Sequence, residues 1–438
     1  MKHLFLVRHA KSSWADESLC DHECPLNARG ESQLAPLGKA LKAAGALQGE
    51  IYCSNATRAL ATLEGAMPEP VMPEHWHTQS ELYTFDYRRL IAWLKEREED
   101  AQVMLVGHNP ALLELAQWLL KQPPEQLPTA SFIHIRLSIK DWHQLDRGKG
   151  KLVALMTPQD YRYTLFQRNP KKKSKTAGDD PPRLRQLERG VILGLDDEFL
   201  HQYRIAIRRS RAIVESVQEV TGDKSLAKAV KTLKRHARAT GPLRDLHVLL
   251  QDLPELSGDN SEIRAALQIW FEREAASRHT KLVKRLQSKR YQDSMNHWLD
   301  LIDSRKFSKL AGTLRSKDIR NAVGHRIKCF NKLTAELMHT SPDEDIHQLR
   351  KQLKRIRYVM ELDARTWKSE LKTLKARQEL YGQFQDLHVQ IELLEQFRKA
   401  APEVLPAALN GIIETLETRK AEARKQILPL GGLDGAPL

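Results

Sequence analysis

The sequence predicts two domains of different class, an α/β sheet flanked by helices followed by an all-α duplicated helical bundle. Three observations carry this. Short apolar runs alternate with helical patterns up to about Gln167, long amphipathic stretches with little proline fill the chain beyond Arg183, and one pattern of basic residues occurs twice in those stretches. At 438 residues the chain exceeds what one hydrophobic core usually organises. A composition of 41% hydrophobic and 29% charged residues is that of a soluble globular protein and excludes wholesale disorder.

In the first domain, residues 1–167, the runs LFLV at Leu4, VMLVGH at Val103, FIHIRL at Phe132 and KLVALM at Lys151 have the length and apolar content of buried strands. Between them, Arg88 to Glu98 has helical periodicity. Residues 168–183 are predicted as a linker, because NPKKKSKTAGDDPPR from Asn169 combines prolines, a glycine and a lysine run without apolar periodicity. Residues 184–430 form the predicted helical domain.

Charge changes at the same place. Up to Gln167 there are 18 basic against 20 acidic residues, and beyond it 52 against 36. A neutral domain joined to a strongly basic one points to a polyanionic partner: nucleic acid, an anionic surface or a phosphate chain. Cys20, Cys24, Cys53 and Cys329 are too few and scattered for a disulfide framework, so they are expected as free thiols in a reducing compartment. Cys20 and Cys24 lack a second Cys/His pair at metal-binding spacing, and no metal or cofactor is expected. The opening apolar run is broken by Arg8 and His9 before a signal core is complete, and no later run reaches the roughly 18 apolar residues of a span. The expected location is cytoplasmic, without a membrane partner.

The repeat is specific. His201, Arg204, Arg208, Arg209 and Arg211 recur as His347, Arg350, Lys354, Arg355 and Arg357, at offsets 0, 3, 7, 8 and 10 from the histidine in both copies. Each copy is followed by a matching segment, Arg244-Asp245-Leu246-His247-Val248 and Gln385-Asp386-Leu387-His388-Val389. On a helix, offsets 0, 3, 7 and 10 fall within about 80° of arc, so each copy presents one basic stripe. Leu349, Leu353, Ile356 and Met360 line a neighbouring apolar face, as do Tyr203, Ile207 and Val214. A lone basic face is ordinarily a solvated surface; two with the same spacing, each bordering a core, suggest an inter-helix groove for a polyanion.

In the first domain the LFLV run ends in Arg8-His9, and the VMLVGH run ends in His108 before Asn109-Pro110. Strand C-termini are where open α/β sheets bind ligands. Ser54, Arg58 and Thr62 lie between them. LVRHAKSSW at Leu6, PLNARG at Pro25, SNATRALAT at Ser54 and LVGHNPAL at Leu105 together resemble the histidine phosphatase superfamily, in particular its short SixA-type phosphohistidine phosphatase branch, over about residues 1 to 165. The resemblance implies a three-layer phosphoglycerate-mutase-like fold, with His9 as nucleophile and Arg8, Arg58 and a protonated His108 around the transferring phosphoryl group of a phosphorylated substrate. These residue types fit that chemistry, since neutral imidazole attacks phosphorus and guanidinium forks match its oxygens. The expected acid is Glu81, with Asp16 or Glu17 behind it. Cys24 stands where relatives often carry arginine, with Lys11 as a substitute cation.

The region from Pro182 to Leu428 resembles a CHAD domain, a histidine-bearing helical domain associated with inorganic polyphosphate. The resemblance implies two bundles enclosing a basic channel lined by both stripes and joined by Arg244, His247 and His388, with Asp245 and Asp386 orienting cations. It extends the expected location to polyphosphate granules. Two further readings stand beside a phosphatase tethered to polyphosphate: a polyphosphate scaffold with a weak or inactive first domain, and a nucleic-acid binder. The last is disfavoured because the stripes lack interleaved aromatics for base stacking.

Overall fold

The computed structural model describes residues 1–16, 18–67, 76–97, 100–166 and 180–434. It divides into two compact units, Met1–Lys173 with Leu193–Asp196 and Ser174–Ile192 with Asp197–Leu438.

The first unit is a six-stranded sheet of β1 (Lys2–Arg8), β2 (Glu50–Ser54), β3 (Trp76–Gln79), β4 (Gln102–Gly107), β5 (Phe132–Leu137) and β6 (Gly150–Met156), in the order β3-β2-β4-β1-β5-β6. Strands β3, β2, β4 and β1 are mutually parallel, and β5 and β6 are antiparallel additions. The central strands are apolar on both faces because both are covered: Leu4 and Leu6 of β1 enter one core, Phe5 and Val7 the other. The covering helices are α1 (Ala28–Ala43), α2 (Thr57–Ala66), α3 (Tyr87–Lys95) and α4 (Ala111–Leu119), with the single turn α5 (Pro158–Tyr161). Asn27 caps α1 by accepting from the Gly30 amide at 2.9 Å. Gly38 lets α1 touch α2, since a Cβ there would lie 1.8 Å from the Ala66 carbonyl oxygen.

The register places the sequence motifs. Arg8 pairs with Gly107 and Cys53 with Val106, so β1, β4 and β2 end side by side, and the residues that follow or close them, His9, His108 and Ser54, emerge along one edge.

The second unit is helical: α6 (Asp180–Leu193), α7 (Asp197–Thr221), α8 (Ala227–Ala239), α9 (Gly241–Ser257), α10 (Ser261–Gln287), α11 (Lys289–Asp303), α12 (Arg305–Gly312), α13 (Ser316–Ala335), α14 (Asp343–Met360), α15 (Lys368–Ala400) and α16 (Pro406–Ile427). The two copies of the repeat lie on α7 with α9 and on α14 with α15. The copies pack through equivalent helices, α7 on α14 and α9 on α15. Tyr203, Ile207 and Val214 of α7 and Leu349, Leu353, Ile356 and Met360 of α14 are all buried.

The predicted linker lies outside the described residues up to 179, and its last four residues differ from expectation. Asp180 opens α6, so Pro181 and Pro182 sit in the first turn of a helix. Amides in that turn have no intrahelical acceptor, and proline forfeits nothing there.

Candidate active site and basic groove

His9 follows β1 and is 8% exposed. Its Nδ1 lies 2.7 Å from the Ala10 carbonyl oxygen, which can only accept, so Nδ1 carries the proton and Nε2 is left with its lone pair. Burial, reinforced by the charges of Arg58 and Arg8, outweighs the Ala10 hydrogen bond and lowers its pKa to about 4. The ring is therefore neutral at neutral pH.

His108 stands beside it, ring centroids 5.1 Å apart, with Nε2 2.8 Å from Ser54 Oγ and a buried Nδ1 without a partner. Burial, then the charges of His9 and Arg58, brings its pKa to about 3. The expectation of a protonated His108 is corrected on this point: with cations as its neighbours the ring is neutral. A phosphoryl dianion among the same groups is the charge that would favour protonation.

Arg58 sits in the first turn of α2 and is 3% exposed. Its guanidinium donates from Nη2 to Asp21 Oδ2 at 2.8 Å and from Nη1 to the Asp21 carbonyl. Tyr83 donates to the same Asp21 oxygen at 2.6 Å and meets His108 edge-on, ring centroids 5.3 Å apart. Partial burial pushes the Asp21 carboxyl up, but the Tyr83 and Arg58 hydrogen bonds and the Arg58 charge leave it below its usual value. Thr62, one turn along α2, donates to the Arg58 carbonyl at 2.6 Å and accepts from the Ala10 amide at 2.9 Å, tying the helix to the loop after His9. Arg8 is held by the Leu127 carbonyl at 2.9 Å, which also accepts from Asn109 at 3.1 Å.

Of the expected set, His9, His108 and Arg58 are brought together, and Arg8 adjoins His9. Glu81 is not among them: its side chain is exposed and accepts from Ser80 Oγ at 3.2 Å. Asp16 is exposed and bonded to Ser18 at 2.5 Å, and Glu17 lies outside the described residues. Cys24 is buried and Lys11 exposed. Sequence reasoning missed Asp21 and Tyr83. Asp21 sits in a short 3-10 turn, Asp21–Glu23, without periodicity to mark it. All four cysteines are free, and among the described residues no group of three or more His, Cys, Asp or Glu side chains is placed to hold a metal.

In the second unit, Arg208 of α7 lies close enough to Arg350 and Lys354 of α14 for their charges to act on one another, and Arg204 is related in the same way to Arg208 and to Arg244 of α9. Burial, eased by Asp245 but reinforced by Arg208 and Arg244, lowers Arg204 to about 10. Burial with Arg208 and Arg350 lowers Lys354 to about 6, against the opposing charge of Asp386. His201 is lowered by burial and by Arg244, Arg204 and Arg208, and His347 by burial and His388. Burial raises Asp245 and Asp386, while Arg204 pulls the first back and Arg350 and Lys354 the second.

The rest of the predicted lining is differently engaged. His247 Nδ1 lies 3.3 Å from Asp197, the first residue of α7, and His388 Nδ1 lies 3.4 Å from Asp343, the first residue of α14. Each contact places a histidine of the repeat's second helix beside the carboxylate that opens its first. The signal was present: an aspartate precedes each repeat histidine by four residues. Arg211 and Arg355 share Glu215 at 3.6 and 3.8 Å, and Arg357 pairs with Glu361 at 3.2 Å. Arg209 is exposed, because offset 8 turns it away from the stripe.

Among the described residues no helix is long and apolar enough to cross a membrane. Residues 4–87 match the family model of the histidine phosphatase superfamily, branch 1, and residues 182–395 match that of the CHAD domain. An uncharacterized chloroplastic protein of Arabidopsis thaliana is 32% identical over 171 residues, spanning 36% of this chain and 78% of that protein. Among solved structures, a SixA protein of Nakamurella multipartitia is 21% identical, covering 36% of this chain and 96% of its own with a TM-score of 0.31. The CHAD domain of the plant Ricinus communis is 23% identical, covering 60% of this chain and 91% of its own with a TM-score of 0.47. The chain thus belongs to two families at once, its first unit to the histidine phosphatase superfamily and its second to the CHAD domains.

Proposed function

We propose that the first unit is a phosphatase that works through a phosphohistidine at His9, without a metal, and that the second binds inorganic polyphosphate. The observation that carries the first part is the His9 hydrogen bond: Nδ1–H donated to Ala10 leaves Nε2 as the free, neutral nucleophile. In the first step Nε2 attacks phosphorus, the bond from phosphorus to the leaving atom breaks, and Arg8, Arg58 and His108 take up charge on the phosphoryl oxygens. Water then attacks the phosphohistidine, releasing phosphate and restoring His9. Glu81 is exposed, so the reading favours substrates whose leaving group needs little protonation: phosphohistidine protein first, phosphate chains next.

Support for the second part is that Arg208 of one copy of the motif lies within electrostatic reach of Arg350 and Lys354 of the other. Asp245 and Asp386 offset part of this positive charge, and a bound anion would offset the rest and favour the charged form of Lys354. Inorganic polyphosphate offers regularly spaced charge, which suits cations repeated at the same offsets on two helices, and on this reading the chain works in the cytoplasm at polyphosphate granules. Phosphate release from phosphohistidine protein, polyphosphate and small phosphoesters, measured for wild type beside His9→Ala, tests the catalytic claim. Loss of release in the variant is expected, and equal rates would leave a scaffold with an inactive first unit. Polyphosphate should displace nucleic acid at moderate salt; the opposite order would make this a nucleic-acid binder.

A further inference from the structure

Helix α8 carries a third stripe of cations that belongs to neither copy of the repeat. Lys228, Lys231, Arg235 and Arg238 stand at offsets 0, 3, 7 and 10, the spacing of the groove stripes, and so share one helix face. All four are exposed, and among the described residues no carboxylate pairs with any of them. In that they differ from Arg211, Arg355 and Arg357, which are committed to glutamates.

The stripe borders a cavity of about 1190 Å³ between α8 and the junction of α10 with α11. Arg285 and Arg290 close its far side, and among the described residues Asp293 is its single acid. The rim is thus cationic on both sides. The floor is not: Leu233 is 1% and Trp298 4% exposed, and both line the cavity. Among the described residues neither the buried indole Nε1–H of Trp298 nor Nε of Arg285 has an acceptor. Burial with the charges of Arg235 and Arg290 lowers the Arg285 pKa, a further sign of uncompensated charge.

Crowded like charges on the rim and apolar surface open to water on the floor both carry a cost that a ligand can relieve. One ligand relieves both if it brings phosphate oxygens to the rim and an apolar body to the floor. A bare phosphate chain meets the rim but leaves the floor uncovered. We propose that this cavity binds a small phosphate ester with an apolar or aromatic body, of the class of nucleoside polyphosphates. It shares no residue with the α7–α14 groove and does not depend on the function proposed above.

The test is calorimetric titration of the full chain with ATP and with inorganic tripolyphosphate, at one ionic strength and in a His9→Ala background so that hydrolysis does not consume either probe. ATP should bind about tenfold more tightly than tripolyphosphate, because only ATP fills the floor. Lys231→Glu with Arg235→Glu, both at exposed positions, should weaken ATP by about tenfold or more, whereas Arg208→Glu in the groove should leave ATP unchanged. Trp298→Phe should weaken ATP and not tripolyphosphate. Equal affinity for the two probes, insensitivity of ATP to the α8 double variant, or loss of ATP binding through Arg208→Glu would each overturn the proposal.

Discussion

A histidine that attacks phosphorus must be neutral, aimed and close to cations that would otherwise suppress its own protonation. His9 meets these demands through burial and one main-chain hydrogen bond. Asp21 acts one step away, holding Arg58 by two contacts and not touching His9 itself. Asp21→Asn should therefore raise KM severalfold while lowering kcat less, whereas His9→Ala removes the reacting atom and abolishes kcat. Steady-state kinetics of the two variants separates positioning from chemistry. The buried histidines also set an acid limit. With folded pKa values of about 4 for His9 and about 3 for His108, against about 6.5 when unfolded, the unfolded chain binds more protons across that interval. Stability of the first unit should be complete above pH 6.5 and fall as pH drops toward 4, by on the order of 3 kcal/mol from His9 alone. Melting temperatures across that range for wild type and His9→Gln check the sign: the variant should lose part of the slope.

At the scale of elements, β1, β4, β5 and β6 were legible because each is a compact apolar run, and the strand-end positions of His9 and His108 followed from two of them. Strand β2 was not, being five residues that begin with Glu50 and end with Ser54, nor was β3, a short edge strand half open to solvent. Asp21 was illegible for a related reason: its partners Arg58 and Tyr83 are 37 and 62 residues away and only the fold joins them. The repeat told which helices matter but not which partner each side chain takes, so the aspartates beside His247 and His388 were not foreseen. The α1–α2 contact carries an expectation of its own. A methyl at Gly38 would collide with the Ala66 main chain, so Gly38→Ala should destabilise by about 1–3 kcal/mol. Because α2 bears Arg58 and Thr62, activity should fall as well; thermal melts and phosphate release on one preparation would show both. On α14, Lys354 titrates near 6, so at pH 7 to 8 it is mostly neutral until an anion arrives. Polyphosphate binding should take up a proton in that range and tighten as pH falls toward 6, and calorimetry in buffers of different ionisation enthalpy should see the uptake vanish in Lys354→Met. His201 and His347, shifted below 6.5, contribute only at lower pH.

For the whole molecule, 52 basic against 36 acidic residues beyond Gln167 make any polyanion complex sensitive to salt. Polyphosphate affinity should fall linearly on a log–log plot against salt, and Arg204→Ala with Arg350→Ala should flatten that slope by about two counterions. Arg209→Ala, facing away, should leave it unchanged.

The packing of the two repeats gives the groove a property of its own. Buried apolar side chains seat α7 on α14 and α9 on α15, so the opposed basic stripes are kept at their spacing by scaffold and not by cargo. A polyanion entering such a mould finds it already cast: the complex should melt later than the free protein while its helix content and exchange pattern outside the groove stay the same.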